Sequence, residues 1–199
     1  MGSSAPLDAS KTKAWEGGPS FSLKNRLYRL AFMIAWALFA RWTPPPLRLW
    51  RNWVLRRFGA TVARTARIYG TARIWSPANL VVDDYAVIGP NTTIYSLATI
   101  HIAPYAIVSQ GAHLCAGTHD VSDPNFQLQA RPIRIGERAW IAAEAFVGPG
   151  VDVGDGAVLG ARGCAMRNLD AWTIYTGNPA TVRRERRIRS DDATPDPAR

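Results

Sequence analysis

The sequence predicts an all-β solenoid, a chain wound into stacked triangular coils of short parallel strands. Aliphatic residues recur every six positions, first at Val62, Ile68, Ile74 and Leu80. Two residues out of step they resume at Val82, Ile88, Ile94 and Ile100, and after a second slip at Ile102, Val108 and Leu114. Beyond a break come Ile135, Ile141, Val147, Val153, Leu159 and Ala165. A small residue sits two positions before most of these, as at Ala66, Ala86, Ala106, Ala139 and Ala157, and a glycine often follows, as at Gly89, Gly136, Gly148, Gly154 and Gly160. A period of six matches neither the 3.6 of an amphipathic helix nor the alternation of a strand. It is the mark of a hexapeptide solenoid, in which each repeat buries its apolar side chain only by stacking on its neighbours.

Three hexads close one coil, with a short strand on each side of a triangular prism, and coils stack about 4.8 Å apart. The aliphatic points into a narrow dry interior, and the small residue sits near a corner where a larger one would meet its copies above and below. The coils read as residues 62–79, 82–99, 102–119, 135–152 and 153–170, about five in all, with corner insertions at 80–81 and 100–101. One excursion, residues 120–134, separates the third coil from the fourth. The organisation that follows is a mobile N-terminal tail over 1–22, a helical hairpin over 23–59, the β-helix over 60–182, and a basic then disordered C-terminal tail over 183–199.

Charge is unevenly placed. The chain of 199 residues carries a formal +9, yet residues 17–82 hold eleven Lys and Arg and no Asp or Glu. A membrane surface is one partner for such a patch and nucleic acid another. No helix-turn-helix, zinc or RNA-binding signature accompanies it, so no nucleic acid is expected. The two cysteines, Cys115 and Cys164, are too few for a disulfide framework and read as reduced thiols of a cytosolic protein.

Residues 23–42 read as a helix whose apolar run, 30–40, is bounded by Lys24, Arg26, Arg29 and Arg41. That run falls short of the roughly 18–20 residues that cross a bilayer. Pro44, Pro45 and Pro46 stop it, since none can donate a backbone hydrogen bond. A second helix over 47–58 presents Leu47, Trp50, Val54 and Phe58 on one face. Two readings fit the hairpin. It lies in the headgroup region of an anionic membrane, or it packs over the open first coil.

The chemistry points to the excursion. A plain corner would hold the solenoid together, and long irregular loops in compact folds carry function disproportionately. His119 stands at its root, and an imidazole titrating near neutral pH can take a proton from an attacking hydroxyl. The other histidines suggest a metal shared between chains less well. His113 lies one hexad from His119 and faces another side, His101 stands 18 residues before His119 where it can stack near it, and no acidic second shell is arranged around them. No metal is expected.

The hexads, His119 within Gly117-Thr118-His119-Asp120, and the closing Gly177-Asn178-Pro179-Ala180 resemble the hexapeptide-repeat O-acetyltransferases. The loop Ser122-Asp123-Pro124-Asn125-Phe126-Gln127-Leu128 and the stretches Arg48-Leu49-Trp50 and Arg56-Arg57-Phe58-Gly59-Ala60 are similar to the branch named for colanic acid biosynthesis. The resemblance covers residues 40–185. It implies a left-handed parallel β-helix, a homotrimer with active sites in the clefts between subunits, and acetyl-CoA as co-substrate along the C-terminal coils. His119 is then the general base toward a sugar hydroxyl, and a backbone N–H at Ala142 or Ala143 holds the oxyanion. Trp140 and Ala143 fall where the family lines the pantetheine path, and Ala161 deeper along it. Met166-Arg167 stands where the family often has Thr-Lys. Arg167 can still meet a phosphate, and Arg183 and Arg184 are candidates for the 3′-phosphate. On the acceptor side the candidates are Ser96, Asp120 and Asn125, with Asp120 open to a turn-forming role instead. The expected function is O-acetylation of a sugar in a cell-surface polysaccharide, with a lipid-linked glycan as one form of acceptor. The expected place is the cytoplasm, peripheral to the inner face of the membrane. N-acetylation of an amino sugar or of a small molecule, and a catalytically silent scaffold, stay open beside it.

Overall fold

The computed structural model describes residues 5–13 and 16–188. Residues 61–176 form a left-handed parallel β-solenoid of about six turns. Its three sides are three sheets. One stacks Thr61–Val62, Leu80–Val82, Ile100–Ile102, Ile133–Ile135 and Asp152–Val153. The others start from Arg67–Ile68 and Arg73–Ile74 and repeat in the same parallel register. The six-residue aliphatics therefore form three internal columns. Ile68, Ile88, Val108, Ile141 and Leu159 stack on one side with no exposed surface, and Ile94, Leu114 and Val147 do so on another. Burying each such side chain contributes roughly 1.5–3 kcal/mol against the entropy of winding the chain. The predicted small residues, Ala66, Ala86, Ala106, Ala139 and Ala157, are buried at the corners.

Two details differ from the sequence reading. The insertions at 80–81 and 100–101 do not bulge at corners. They lengthen the strands, so Leu80 pairs with Ile100 and Ile100 with Ile133, and all three add to the core. The solenoid also continues past Asp170: Leu169 bridges to Val153, and Thr173–Thr176 pairs with the strand at Val158–Leu159. This partial sixth turn lacks the hexad spacing, which hid it.

Coil stacking leaves one end of the prism with unsatisfied carbonyls. Each coil's N–H groups donate to the carbonyls of the next, as Ala63 N to Val82 O and Gly89 N to Val108 O, both at 2.8 Å. The carbonyls of the first coil have no coil beneath them. The N-terminal hairpin supplies the donors. It consists of α2 (Leu23–Phe39) and α3 (Arg48–Arg57), following the short α1 (Ala9–Thr12). Trp36 Nε1 donates to Gly70 O, Arg48 to Arg64 O, Arg51 Nε to Ile68 O, Asn52 Nδ2 to Ala63 and Ala66 O, and Arg56 Nε to Val62 O. Phe32, Trp36, Val54 and Leu55 close the apolar interior above them. Three arginines of the basic N-terminal third, Arg48, Arg51 and Arg56, are thus spent on backbone carbonyls.

Arg51 is the centre of that cap: 2 % exposed, it also donates to Thr43 O, Thr43 Oγ1, Pro44 O and Pro45 O. Truncation to alanine removes the donor from the buried Ile68 and Thr43 carbonyls. Arg51→Ala is expected to lower stability by about 2–3 kcal/mol, read as a fall in the chemical-denaturation midpoint.

The chain ends also depart from expectation. Residues 5–13 and 16–22 are not a free tail: Leu7 N donates to Ser20 O, and Asp8 caps α1. Arg183 and Arg184 lie on a strand, Thr181–Glu185, antiparallel to Thr173–Thr176, rather than on a tail. The Asn178–Pro179 peptide between these strands is cis. The tail expected past Arg189 lies outside the described residues.

Candidate active site

The excursion is an antiparallel β-hairpin, an arm standing off the prism. Gly117–His119 pairs with Leu128–Ala130 in the register Gly117↔Ala130, Thr118↔Gln129 and His119↔Leu128. It begins three residues earlier than read from sequence, and the chain is back on the prism at Ile133 rather than past residue 134. Gly117 is needed where the arm leaves, because a Cβ there would stand 2.8 Å from the Leu97 side chain.

Residues 120–127 make the tip. Asp120 N donates to Gln127 O, Asp123 N to Asp120 O and Phe126 N to Asp123 O. The Asp120 carboxylate accepts from Ser122 N and from Gln129 Nε2, so Asp120 holds the turn together. Asn125 donates its backbone N–H to Asp123 Oδ1. His119 sits at the last paired position. Its ring stacks on Phe126 with centroids 4.3 Å apart and planes 14° apart, and its Nδ1 lies 2.8 Å from Phe126 O. A carbonyl only accepts, so Nδ1 carries the proton and Nε2 keeps a free lone pair. That is the tautomer of a base oriented by a backbone carbonyl.

The N-terminal segment ties the arm down. The Gln127 side chain accepts from Ala9 N at 2.7 Å and donates to Leu7 O at 3.1 Å. Below the arm a cavity of about 890 Å³ opens between the hairpin and the corner of the prism. Lys24, Tyr28 and Arg57 line it on the hairpin side, Leu97 and Ala98 on the prism, and Ala130 on the arm.

His101 and His113 stand apart from this site. His101 Nε2 pairs with Asp83 Oδ2 at 2.6 Å on the side of the prism that carries Leu80–Val82, so it does not stack near His119. His113 lies between Thr93 and Phe146, its ring edge-on to Phe146. Among the described residues no group of three His, Cys, Asp or Glu is placed to hold a metal ion. His113 Nε2 is buried without a hydrogen-bond partner, and burial pushes its imidazole below the ordinary value of 6.5. The unfolded chain therefore takes up this proton first. The contribution of His113 is complete above about pH 6.5 and is lost as pH falls through that value toward the folded one. Between about pH 8 and about pH 5 the melting temperature of the protein should fall more steeply than that of His113→Gln.

No protein-family model matches the chain. A relative does. WcaF of Escherichia coli K12, described as a colanic acid biosynthesis acetyltransferase, is 38% identical over 177 residues, covering 89% of this chain and 94% of that protein. The chain belongs to the hexapeptide-repeat acetyltransferases. Solved structures of the same fold agree. A maltose O-acetyltransferase from Clostridium difficile superposes with a TM-score of 0.74 at 19% identity, over 84% of this chain and 90% of that one. A galactoside acetyltransferase in complex with coenzyme A gives 0.71 at 21%, over 90% and 91%.

The remaining acetyltransferase candidates divide by their surroundings. Trp140 is exposed on a prism side, its Nε1 bonded to Ser109 Oγ at 2.9 Å. Ala142 is buried and its N–H already donates to Leu159 O, so it has no donor for an oxyanion. The Ala143 N–H makes no hydrogen bond among the described residues, and its carbonyl accepts from Arg162 N one coil on, next to the exposed Ala161. Arg167 is exposed, as are Arg183 and Arg184, with Arg183 at a register shift of its strand. Ser96 is a correction: it is fully buried, with Oγ accepting from Ser76 N and donating to Ser76 O, so it braces two coils and presents no surface to a substrate. Phe126 and Gln127 were missed as site residues. An aromatic and an amide beside a loop histidine are a weak signal, because their roles depend on a hairpin register the hexads do not encode.

Proposed function

We propose that the protein transfers the acetyl group of acetyl-CoA to a sugar hydroxyl of a cell-surface glycan, with His119 as general base. The observation that carries this reading is the Nδ1 contact to Phe126 O, which directs the basic Nε2 away from the arm. Nε2 takes the proton of the acceptor hydroxyl as its oxygen bonds to the thioester carbonyl carbon. The Ala143 N–H meets the resulting oxyanion. The tetrahedral centre collapses, the C–S bond breaks, and the CoA thiolate leaves with the proton from Nε2. No covalent enzyme intermediate is required.

Family membership and the acetyl-CoA named in a related structure from Vibrio cholerae support the donor. Trp140, Ala143 and Ala161 lie toward the pantetheine in this reading, and Arg167, Arg183 and Arg184 toward its phosphates. Asn125, at the arm tip, is the acceptor contact in this reading. Asp120 acts through the turn rather than on the sugar. Ile107 and Trp140 stand exposed side by side on one prism side, an apolar pair that supports a homotrimer packed side to side. The acceptor is met at the inner face of the cell membrane, where lipid-linked glycans are assembled.

The test is release of free thiol from acetyl-CoA in the presence of a panel of glycans, nucleotide sugars and lipid-linked sugars. Acceptor-dependent release with an O-acetyl ester in the product is expected. An amide product would move the reading to amino sugars, and absence of acetyl-CoA binding in calorimetry would leave a scaffold.

A further inference from the structure

We infer that the outer face of the N-terminal hairpin docks on an anionic lipid surface. The inference gives a partner to the membrane placement proposed above and rests on it for its biological sense, but lipid binding is measurable without any turnover. In α2 only Asn25, Phe32 and Trp36 are buried. The opposite face carries Leu23, Leu27, Leu30, Ile34 and Leu38, spaced as one helical stripe and each more than half exposed. The cap on the first coil therefore uses one side of the hairpin and leaves an apolar side facing out.

The surroundings of that stripe select its occupant. Trp42, Trp50 and Trp53 extend it, 71%, 41% and 49% exposed. Trp50 and Trp53 are stacked 5.0 Å apart. The indole N–H of Trp42 donates to Leu38 O and that of Trp50 to Phe39 O, so these rings can enter an acyl layer without an unpaired donor. Arg26 and Arg41 are exposed and have no acidic partner among the described residues. Arg48, Arg51 and Arg56 are spent on the carbonyl cap and do not count toward the surface. A second copy of this chain would set cations against cations, whereas anionic headgroups complement them. No helix among the described residues is long and apolar enough to cross a membrane, so α2 lies in the interface plane.

The experiment is co-sedimentation of the full chain with phosphatidylglycerol or phosphatidylcholine vesicles, alongside two variants on exposed positions. One is Leu27→Glu with Ile34→Glu, the other Arg26→Glu with Arg41→Glu. The protein should bind phosphatidylglycerol vesicles at least about tenfold more than phosphatidylcholine, with binding falling as salt rises. Both variants should lose most binding while keeping the melting temperature and turnover on a soluble acceptor. Equal binding by Leu27→Glu/Ile34→Glu, no binding by the unaltered protein, or a change only in oligomeric state would overturn the inference. Vesicle binding by a protein with no acetyl transfer would keep it and remove the enzymatic reading instead.

Discussion

His119→Ala is expected to lower kcat by about 10²–10⁴-fold, the largest effect of any single change, while fold and acetyl-CoA affinity stay intact. The fold survives because the ring is exposed on the arm, stacked on Phe126 and outside the hydrophobic core. Acetyl-CoA binding survives in the proposed arrangement because the donor lies along the prism coils. Steady-state thiol release, calorimetry with acetyl-CoA and thermal melting separate the three properties. A variant retaining kcat within about threefold would remove His119 as the base. Loss of donor affinity in parallel with kcat would show that the ring positions the thioester instead.

The parts of this molecule legible in the sequence are those set by repetition. A core column needs an aliphatic at each sixth position, so Ile68, Ile88 and Val108 announce their own stacking before any coordinates exist. Pairing that breaks the repeat leaves no such trace. The arm joins Gly117 to Ala130 antiparallel, and nothing in the hexad count marks where the prism ends and the arm starts. The same holds for Thr173–Thr176, which extends the solenoid with Tyr175 taking the core position of an aliphatic. The basic stretch shows a different limit. Composition counts charges, but only the geometry tells Arg51, locked onto carbonyls, from Arg26 and Arg41, which face solvent. Ser96 was misassigned for a similar reason. A hydroxyl between two coils and a hydroxyl facing a substrate look alike until the neighbouring strand's backbone is in place.

The choice between Ala142 and Ala143 turns on backbone geometry of this kind, and it yields the second large prediction. Ala142, Ala143, Glu144 and Ala145 form a tight corner: Ala145 N donates to Ala142 O, and Glu144 takes a φ of 58°. Ala143 is the second residue of that turn, a position where proline is favoured. The protein already places proline there at an equivalent corner, where Pro104 precedes Tyr105 at φ 59° and Ala106 N donates to Ala103 O. Ala143→Pro should therefore fold as the parent does, since it removes an N–H that holds nothing in the resting chain. If that N–H receives the oxyanion, kcat falls by about 10²–10³-fold with little change in donor affinity. The corner at Gln110 also leaves this N–H unpaired among the described residues, so Gln110→Pro is the matched control: it alters the same kind of turn one coil before Ala143, at a residue with no part in the proposed donor path. Equal losses in both variants would mean that corner rigidity, not a donor at Ala143, governs the rate. A loss confined to Ala143→Pro would tie the transition state to the coil that follows the histidine arm.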